Sequence, residues 1–176
     1  MRFIATPLAG AYLIEPERFS DERGFFARTW CRNEFEEMGL NPNLVQCNIS
    51  YNKTRGTLRG MHYQKPPFAE AKLVRCTQGA VYDVIIDLRD SSKTFMQWYG
   101  VELTVENRKA LYVPEGFAHG FVTLQEDTEV LYHMSEFFHA ESAGGARWND
   151  PIFSIRWPIV VEVISERDKN YRDFKP

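Results

Sequence analysis

Arg59, His62 and Lys72 stand close together in the stretch Gly56 to Lys72, GTLRGMHYQKPPFAEAK. A neutral imidazole titrates at about pH 6.5 and can take a proton at neutral pH, while a lysine ammonium can stabilise an oxyanion as it forms. Together the two describe removal of a proton next to a carbonyl group. Grouping an imidazole with two long cations is costly unless an anion comes to them, so the expected ligand is negatively charged and carries an acidic C–H. The imidazole needs a carboxylate to fix its tautomer, and inversion at carbon needs an acid on the opposite face. This stretch locates neither partner. It reads as strand, sharp turn and strand, a hairpin carrying all three groups, although Pro66 and Pro67 reset the register and alternation alone does not turn all three inward.

A metal site is the competing chemistry. Gly56 followed by His62, and Pro114-x-Gly116-x-x-His119 later, resemble the two motifs of cupins. Metal-binding cupins place a second His two positions after the first and then an acid, whereas Tyr63 and Gln64 follow His62 here. Two of the usual four ligands do not close a site, so no metal is expected. A buried core histidine without chemistry is the remaining reading of His62 taken alone.

The elements that must position these groups read as strands. The 176 residues are 44% hydrophobic and 14% aromatic, and aromatic residues favour pleated, half-buried surfaces. Short runs bounded by turn residues extend over Val45 to Asn52, Lys72 to Thr77, Val81 to Leu88, Trp98 to Thr104, Ala110 to Val113, His119 to Leu124 and Thr128 to Met134. Gly79, Gly100, Pro114 and Gly116 punctuate them. Such strands without intervening amphipathic helices predict an all-β sandwich or barrel, and Val84-Ile85-Ile86 predicts a strand buried on both faces or at an interface. Ala11 to Pro16 is a further strand, Glu17 to Gly24 a polar turn, and Cys31 to Met38 a short helix ended by Gly39. Ser165 followed by Asp168 resembles a capping box opening a second helix. One domain, residues 1–176, is expected, with no linker or repeat.

A formal net charge of −3 provides no footprint for nucleic acid or an anionic membrane surface. An anionic ligand must therefore be held by a local cluster of Arg and Lys. Cys31, Cys47 and Cys76 are odd in number and lack C-x-x-C spacing, which suits a reducing compartment. With no long apolar run, a cytoplasmic protein with no membrane segment is expected.

Many of these residues fall into one larger pattern. Asp21-Glu22-Arg23-Gly24-Phe25-Phe26, Gln46-x-Asn48-x-Ser50, Gly56-x-Leu58-Arg59-Gly60-Met61-His62-Tyr63-Gln64, Lys72-Leu73-Val74, Asp83-Val84 through Asp87-Leu88-Arg89, Pro114-x-Gly116-Phe117-Ala118-His119-Gly120-Phe121, Trp148-Asn149-Asp150-Pro151 and Ser165-x-x-Asp168 resemble the dTDP-4-dehydrorhamnose 3,5-epimerase family. The resemblance runs in order over nearly the whole chain. It implies a metal-free, cupin-like β-barrel (jelly roll) with a few short helices, homodimeric, acting without a cofactor on a nucleotide-diphosphate sugar bearing a 4-keto-6-deoxyhexose. By motif, His62 corresponds to the base, Asp168 to the carboxylate that orients it, Tyr132 to the acid on the opposite face and Lys72 to the enolate stabiliser. Arg23, Gln46, Asn48, Arg59, His119 and Arg167 fall where the family contacts substrate, and Arg28, Phe19 and Phe138 join them as substrate-binding candidates.

Three positions depart from the family pattern. Arg28 stands where a Glu is usual, Ala143 where another Glu is frequent, and Phe137-Phe138 where Tyr is common. Exchanging an acceptor-only carboxylate for a donor-only guanidinium reverses the hydrogen-bond pattern offered to a base, so a CDP-sugar is an alternative to a dTDP-sugar. Arg28 pairing with a surface acid such as Glu36 is the plainer alternative. Other readings compatible with the motifs are a single-centre epimerase, a ketoisomerase, and a catalytically silent sugar-nucleotide-binding cupin.

Overall fold

β-Branched and aromatic runs broken by Gly, Pro and Asx turns become strands along most of the chain, as their side chains require a pleated surface with one buried face. The computed structural model describes residues 1–176. In chain order it contains strands β1 (Arg2–Ala5), β2 (Tyr12–Glu15), β3 (Arg18–Asp21) and β4 (Gly24–Ala27), helix α1 (Arg32–Glu37), then β5 (Gln46–Asn52), β6 (Thr57–Gln64) and β7 (Lys72–Gln78). There follow β8 (Ala80–Asp87), β9 (Trp98–Thr104), β10 (Ala110–Val113), β11 (Phe117–Thr123), β12 (Thr128–Met134), β13 (Ala143–Gly145), β14 (Val163–Ile164) and helix α2 (Glu166–Lys169).

One sheet has the order β1-β2-β10-β7-β12-β5 and the other β13-β6-β11-β8-β9, with β14 added to β6. The two face each other as a cupin-like jelly roll. Between them lie Val74, Cys76, Val81, Ile85, Leu103, Leu111, Phe121 and Val130, all buried. Each fully buried aliphatic side chain of this kind contributes about 1.5–3 kcal/mol. Val84 and Ile86, also inaccessible to solvent, point the other way, and Ala146, Phe153, Trp157 and Phe174 of the C-terminal segment cover them. The doubly buried reading of β8 therefore holds, and its second cover is the tail of the chain.

Other expectations need correction. The stretch from Gly56 to Lys72 is not a hairpin, because β6 and β7 belong to opposite sheets and do not pair. Pro66-Pro67 and the residues after it carry the chain across the barrel, so Arg59 and His62 face Lys72 from the other wall. The polar turn Glu17 to Gly24 is instead most of a two-stranded ribbon, β3 paired with β4. Arg18 of this ribbon donates to the carbonyls of Glu106 and Asn107, and its guanidinium and that of Arg108 lie over the Phe25 ring at 5.2 and 4.9 Å. Phe19 and Phe26 stand in solvent at 68% and 70% exposure. The first helix forms as expected, with Phe35 buried and Gly39 in a left-handed conformation beyond its end.

The end of β8 is fixed by a buried carboxylate. Asp87, inaccessible to solvent, accepts from Arg89 Nε and Nη2 at 2.8 Å, from Thr94 Oγ1 at 2.6 Å and from Ser92 Oγ. The Arg89 guanidinium also lies 4.6 Å from the centre of the Phe117 ring, which opens β11. Burial alone pushes the Asp87 carboxyl up, but the donors from Arg89, Ser92 and Thr94 outweigh it and hold it at about 2. A carboxyl whose folded pKa is depressed contributes stability that is complete above its unfolded value, about 4, and is lost as pH falls through the folded one. Asp87→Ala is therefore expected to cost about 2–4 kcal/mol at neutral pH. In urea titrations the gap between wild type and variant should narrow as pH falls from about 4 toward 2.

Candidate active site

The site begins with one extra residue. β6 pairs with β11 so that His62 faces His119 and Arg59 faces Phe121, leaving Gly60 and Met61 opposite Gly120 alone. In a regular strand, residues three apart point to opposite faces, and an added residue reverses that alternation. Arg59 and His62 consequently line the same cavity. The two strands approach so closely that a Cβ on Gly60 would sit 2.6 Å from Gly120 Cα, and one on Gly120 would sit 2.7 Å from the Arg59 carbonyl oxygen. Gly60 also has φ +145, a region side chains avoid.

The missing carboxylate arrives from the far end of the chain. β14 pairs with Thr57 and Leu58 at one end of β6, and β13 pairs with His62 to Gln64 at the other. Between them α2 presents Asp168, whose Oδ2 accepts the Gly60 N–H at 3.2 Å and whose Oδ1 lies 2.7 Å from His62 Nε2. Ser165 caps this helix, its side chain accepting from the Asp168 N–H at 3.1 Å. The capping reading thus applies to Ser165, while the Asp168 side chain is committed to His62. Burial raises the Asp168 carboxyl, but His62, the Gly60 N–H and Ser165 together hold it below the ordinary value. A carboxylate can only accept, so Nε2 carries the imidazole proton and Nδ1 keeps its lone pair.

The opposite wall supplies Lys72 from β7 and Tyr132 from β12. Lys72 Nζ lies 2.9 Å from Glu70 Oε1 and donates to the His62 carbonyl at 3.4 Å. Burial pushes the Tyr132 phenol up, against a smaller opposing pull from Arg59, so it stays a hydroxyl donor at neutral pH. Arg59 Nε donates to Asn52 Oδ1 at 2.7 Å. His119 Nε2 lies 3.0 Å from both oxygens of buried Asp83, a second His–carboxylate pair beside the first. Arg59, His62, Lys72, His119 and Tyr132, with Phe138, Ala143 and Arg167, line a cavity of about 380 Å³. No three His, Cys, Asp or Glu side chains converge as a metal site requires.

Of the residues expected at the site, His62, Lys72, Tyr132, Arg59, His119, Phe138 and Arg167 line the cavity, with Asp168 behind His62. Gln46 and Asn48 flank it, both beside the Met134 sulfur, and Gln46 Oε1 accepts the Phe138 N–H at 3.2 Å. Arg23, Arg28 and Phe19 are not brought to it. Arg23 and Phe19 lie on the β3–β4 ribbon, where Arg23 pairs with Asp21, and Arg28 just beyond it pairs at 3.1 Å with Glu34, not with Glu36. Two residues were missed: Asp83 and Glu70. An acid inside the apolar run of β8 has to be paired to be buried, and that signal marks Asp83. The signal for Glu70 is weaker, an acid two residues before Lys72.

An opposed imidazole and phenol, with a buried ammonium, inside a closed jelly roll define an isomerase built on a cupin barrel. The chain belongs to the dTDP-4-dehydrorhamnose 3,5-epimerase family, whose profile matches residues 5–176. It is 44% identical over 177 aligned positions to the dTDP-4-dehydrorhamnose 3,5-epimerase of Methanothermobacter thermautotrophicus, covering 99% of this chain and 95% of that one. The crystal structure of the Elizabethkingia anophelis enzyme of the same name superposes with a TM-score of 0.96 at 46% identity, over 99% and 96% of the two chains. That of the Bacillus anthracis enzyme, with TDP and PPi bound, gives 0.94 at 42% identity, over 98% and 99%.

The close approach at Gly60 provides a test of the bulge. Gly60→Ala must move a backbone rather than a side-chain tip, and is expected to lower unfolding free energy by about 2 kcal/mol or more, measured by denaturant titration.

Proposed function

We propose that this protein epimerises a dTDP-linked 4-keto-6-deoxyhexose at the two carbons flanking the keto group, converting dTDP-4-dehydro-6-deoxyglucose to dTDP-4-dehydrorhamnose for deoxysugar and polysaccharide synthesis. The observation that carries the reading is the placement of His62 and Tyr132 on opposite sheets across one cavity. The keto group acidifies the hydrogens on its two neighbouring carbons. His62 Nδ1 takes one of them, Asp168 stabilises the imidazolium, and the electron pair moves onto the keto oxygen, facing the Lys72 ammonium. Tyr132 returns a proton to carbon from the other side, which inverts it, and solvent restores both groups. The C–H broken is re-formed, so the reaction needs no cofactor. Arg59, Arg167 and His119 carry the donors for the diphosphate.

The nucleotide end is incomplete in one chain. Phe138, Gln46 and Asn48 stand on one side of it, whereas Phe19 and Arg23 are displayed on an exposed ribbon of the same chain. Strand β5 ends its sheet and turns Ile49, 62% exposed, and Tyr51 outward. A homodimer in which each ribbon serves the other copy's cavity accounts for both. Thymine is favoured over cytosine because Arg28, the reason to expect the latter, is spent on Glu34, and because the similar Bacillus anthracis enzyme holds TDP. No helix is long and apolar enough to cross a membrane, and three free thiols fit the reducing cytoplasm.

In heavy water with dTDP-4-keto-6-deoxyglucose, both carbons beside the keto group should gain deuterium; label at one only identifies a single-centre epimerase. His62→Ala is expected to reduce exchange by about 10²–10⁴-fold, and exchange at the original rate reassigns the base. Tyr132→Phe should still wash label in through His62 while forming little inverted product. Arg23→Ala should raise KM by roughly 10-fold or more with kcat little changed, and sedimentation should give twice the chain mass.

A further inference from the structure

Glu70 is the one carboxylate among the residues lining a cavity that also carries Arg59, Lys72 and Arg167. A negative charge there opposes the binding of an anion, so its presence calls for a reason. Its surroundings supply one. Glu70 Oε1 lies 2.9 Å from Lys72 Nζ, and Oε2 accepts the backbone N–H of Gln64 at 3.0 Å. Both side chains of the ion pair are buried, Glu70 at 3% and Lys72 at 9% exposure. Gln64 ends β6 and Lys72 opens β7, strands that lie in opposite sheets and never pair.

We propose that Glu70 is the positioning residue for Lys72, a strut between the strand that bears the base and the strand that bears the ammonium. The inference rests on the epimerase reading above and deepens it. An ammonium has three N–H donors. One is directed to Glu70 Oε1 and a second to the carbonyl of His62 itself, so the direction of the third is set by the other two. That third donor is the one available to the keto oxygen as it becomes an enolate. The carboxylate also balances the buried ammonium while the cavity is empty, when an unpaired charge would be costly. Because the enolate exists only during reaction, losing this orientation lowers kcat and leaves KM nearly unchanged.

The test compares kcat and KM for wild type, Glu70→Ala, Glu70→Gln and Lys72→Met, with the double variant Glu70→Ala/Lys72→Met, each checked for folding by circular dichroism. Glu70→Ala is expected to lose about 10- to 100-fold in kcat with KM within about threefold of wild type. Glu70→Gln keeps one oxygen for Nζ but turns its amide NH2 toward the Gln64 N–H and removes the balancing charge, so kcat should fall between Glu70→Ala and wild type. In the Lys72→Met background, removing Glu70 should have little further effect, because the strut then positions nothing. A kcat for Glu70→Ala equal to wild type, or the same fractional loss with and without Lys72, overturns the proposal. If Glu70→Ala does not fold, Glu70→Asp replaces it. That variant keeps the charge but withdraws the acceptor by one methylene, so kcat must fall below wild type, and a rate equal to wild type overturns the proposal. Wild-type deuterium exchange, run alongside, separates the two levels: a wild type that does not exchange refutes the epimerase reading, whereas exchange at the wild-type rate in Glu70→Ala refutes only the strut.

Discussion

The Asp168 carboxylate, shared between the Gly60 N–H and the His62 ring, is the interaction on which the rest of the site depends. One oxygen fixes the backbone at the place where β6 carries its extra residue, and the other fixes the tautomer of the imidazole that the extra residue turns inward. Shape and chemistry at this point have a single cause. The bulge puts Arg59 and His62 on one face, and the carboxylate that steadies it also leaves Nδ1 basic. Nothing local to β6 provides that carboxylate. It depends on the C-terminal segment packing over the outer face of the second sheet, where Phe153 and Trp157 lie against the outward side chains Met61, Val84 and Ile86.

The opposite wall follows a different logic. Its groups come from adjacent strands, β7 and β12, held by an ordinary antiparallel ladder. Across the cavity as a whole, polarity is managed by pairing. Lys72 is matched by Glu70, His119 by Asp83 and Arg59 by Asn52. Tyr132, by contrast, is kept protonated by burial. An anionic, proton-bearing ligand enters a cavity whose buried ammonium already has its carboxylate, so the empty site does not hold that charge unpaired. Two walls, each carrying a proton-active group on a rigid strand, give the separation of faces that inversion at carbon requires. A single sheet would present both groups from the same side.

Several of these features could be read before any coordinates. Punctuated β-rich runs predicted an all-β barrel, and the doubly apolar run at Val84 to Ile86 predicted a strand covered twice, as it is. The chemistry of His62 and Lys72 follows from side-chain types, and the roles expected of Tyr132 and Asp168 follow from resemblance over the whole chain. What misled was proximity in sequence. Arg59, His62 and Lys72 look like one hairpin, yet Pro66-Pro67 sends the second strand into the facing sheet. Phe19, Arg23 and Arg28 look like site residues, yet their own chain displays them away from its cavity.

Sequence by itself determined the fold class and the kinds of groups available, because strand period, turn residues and side-chain chemistry are local properties written residue by residue, and it pointed to the family through motifs spread over the chain. Tertiary structure alone decided which groups meet. The pairing of Gly60 and Met61 against Gly120, the arrival of Asp168 from the chain's far end, and the link from Glu70 to Lys72 across two sheets all depend on register and on packing between distant segments. Register changes by whole residues and reverses the facing of a strand each time, so a single unseen bulge was enough to make Arg59 and His62 neighbours.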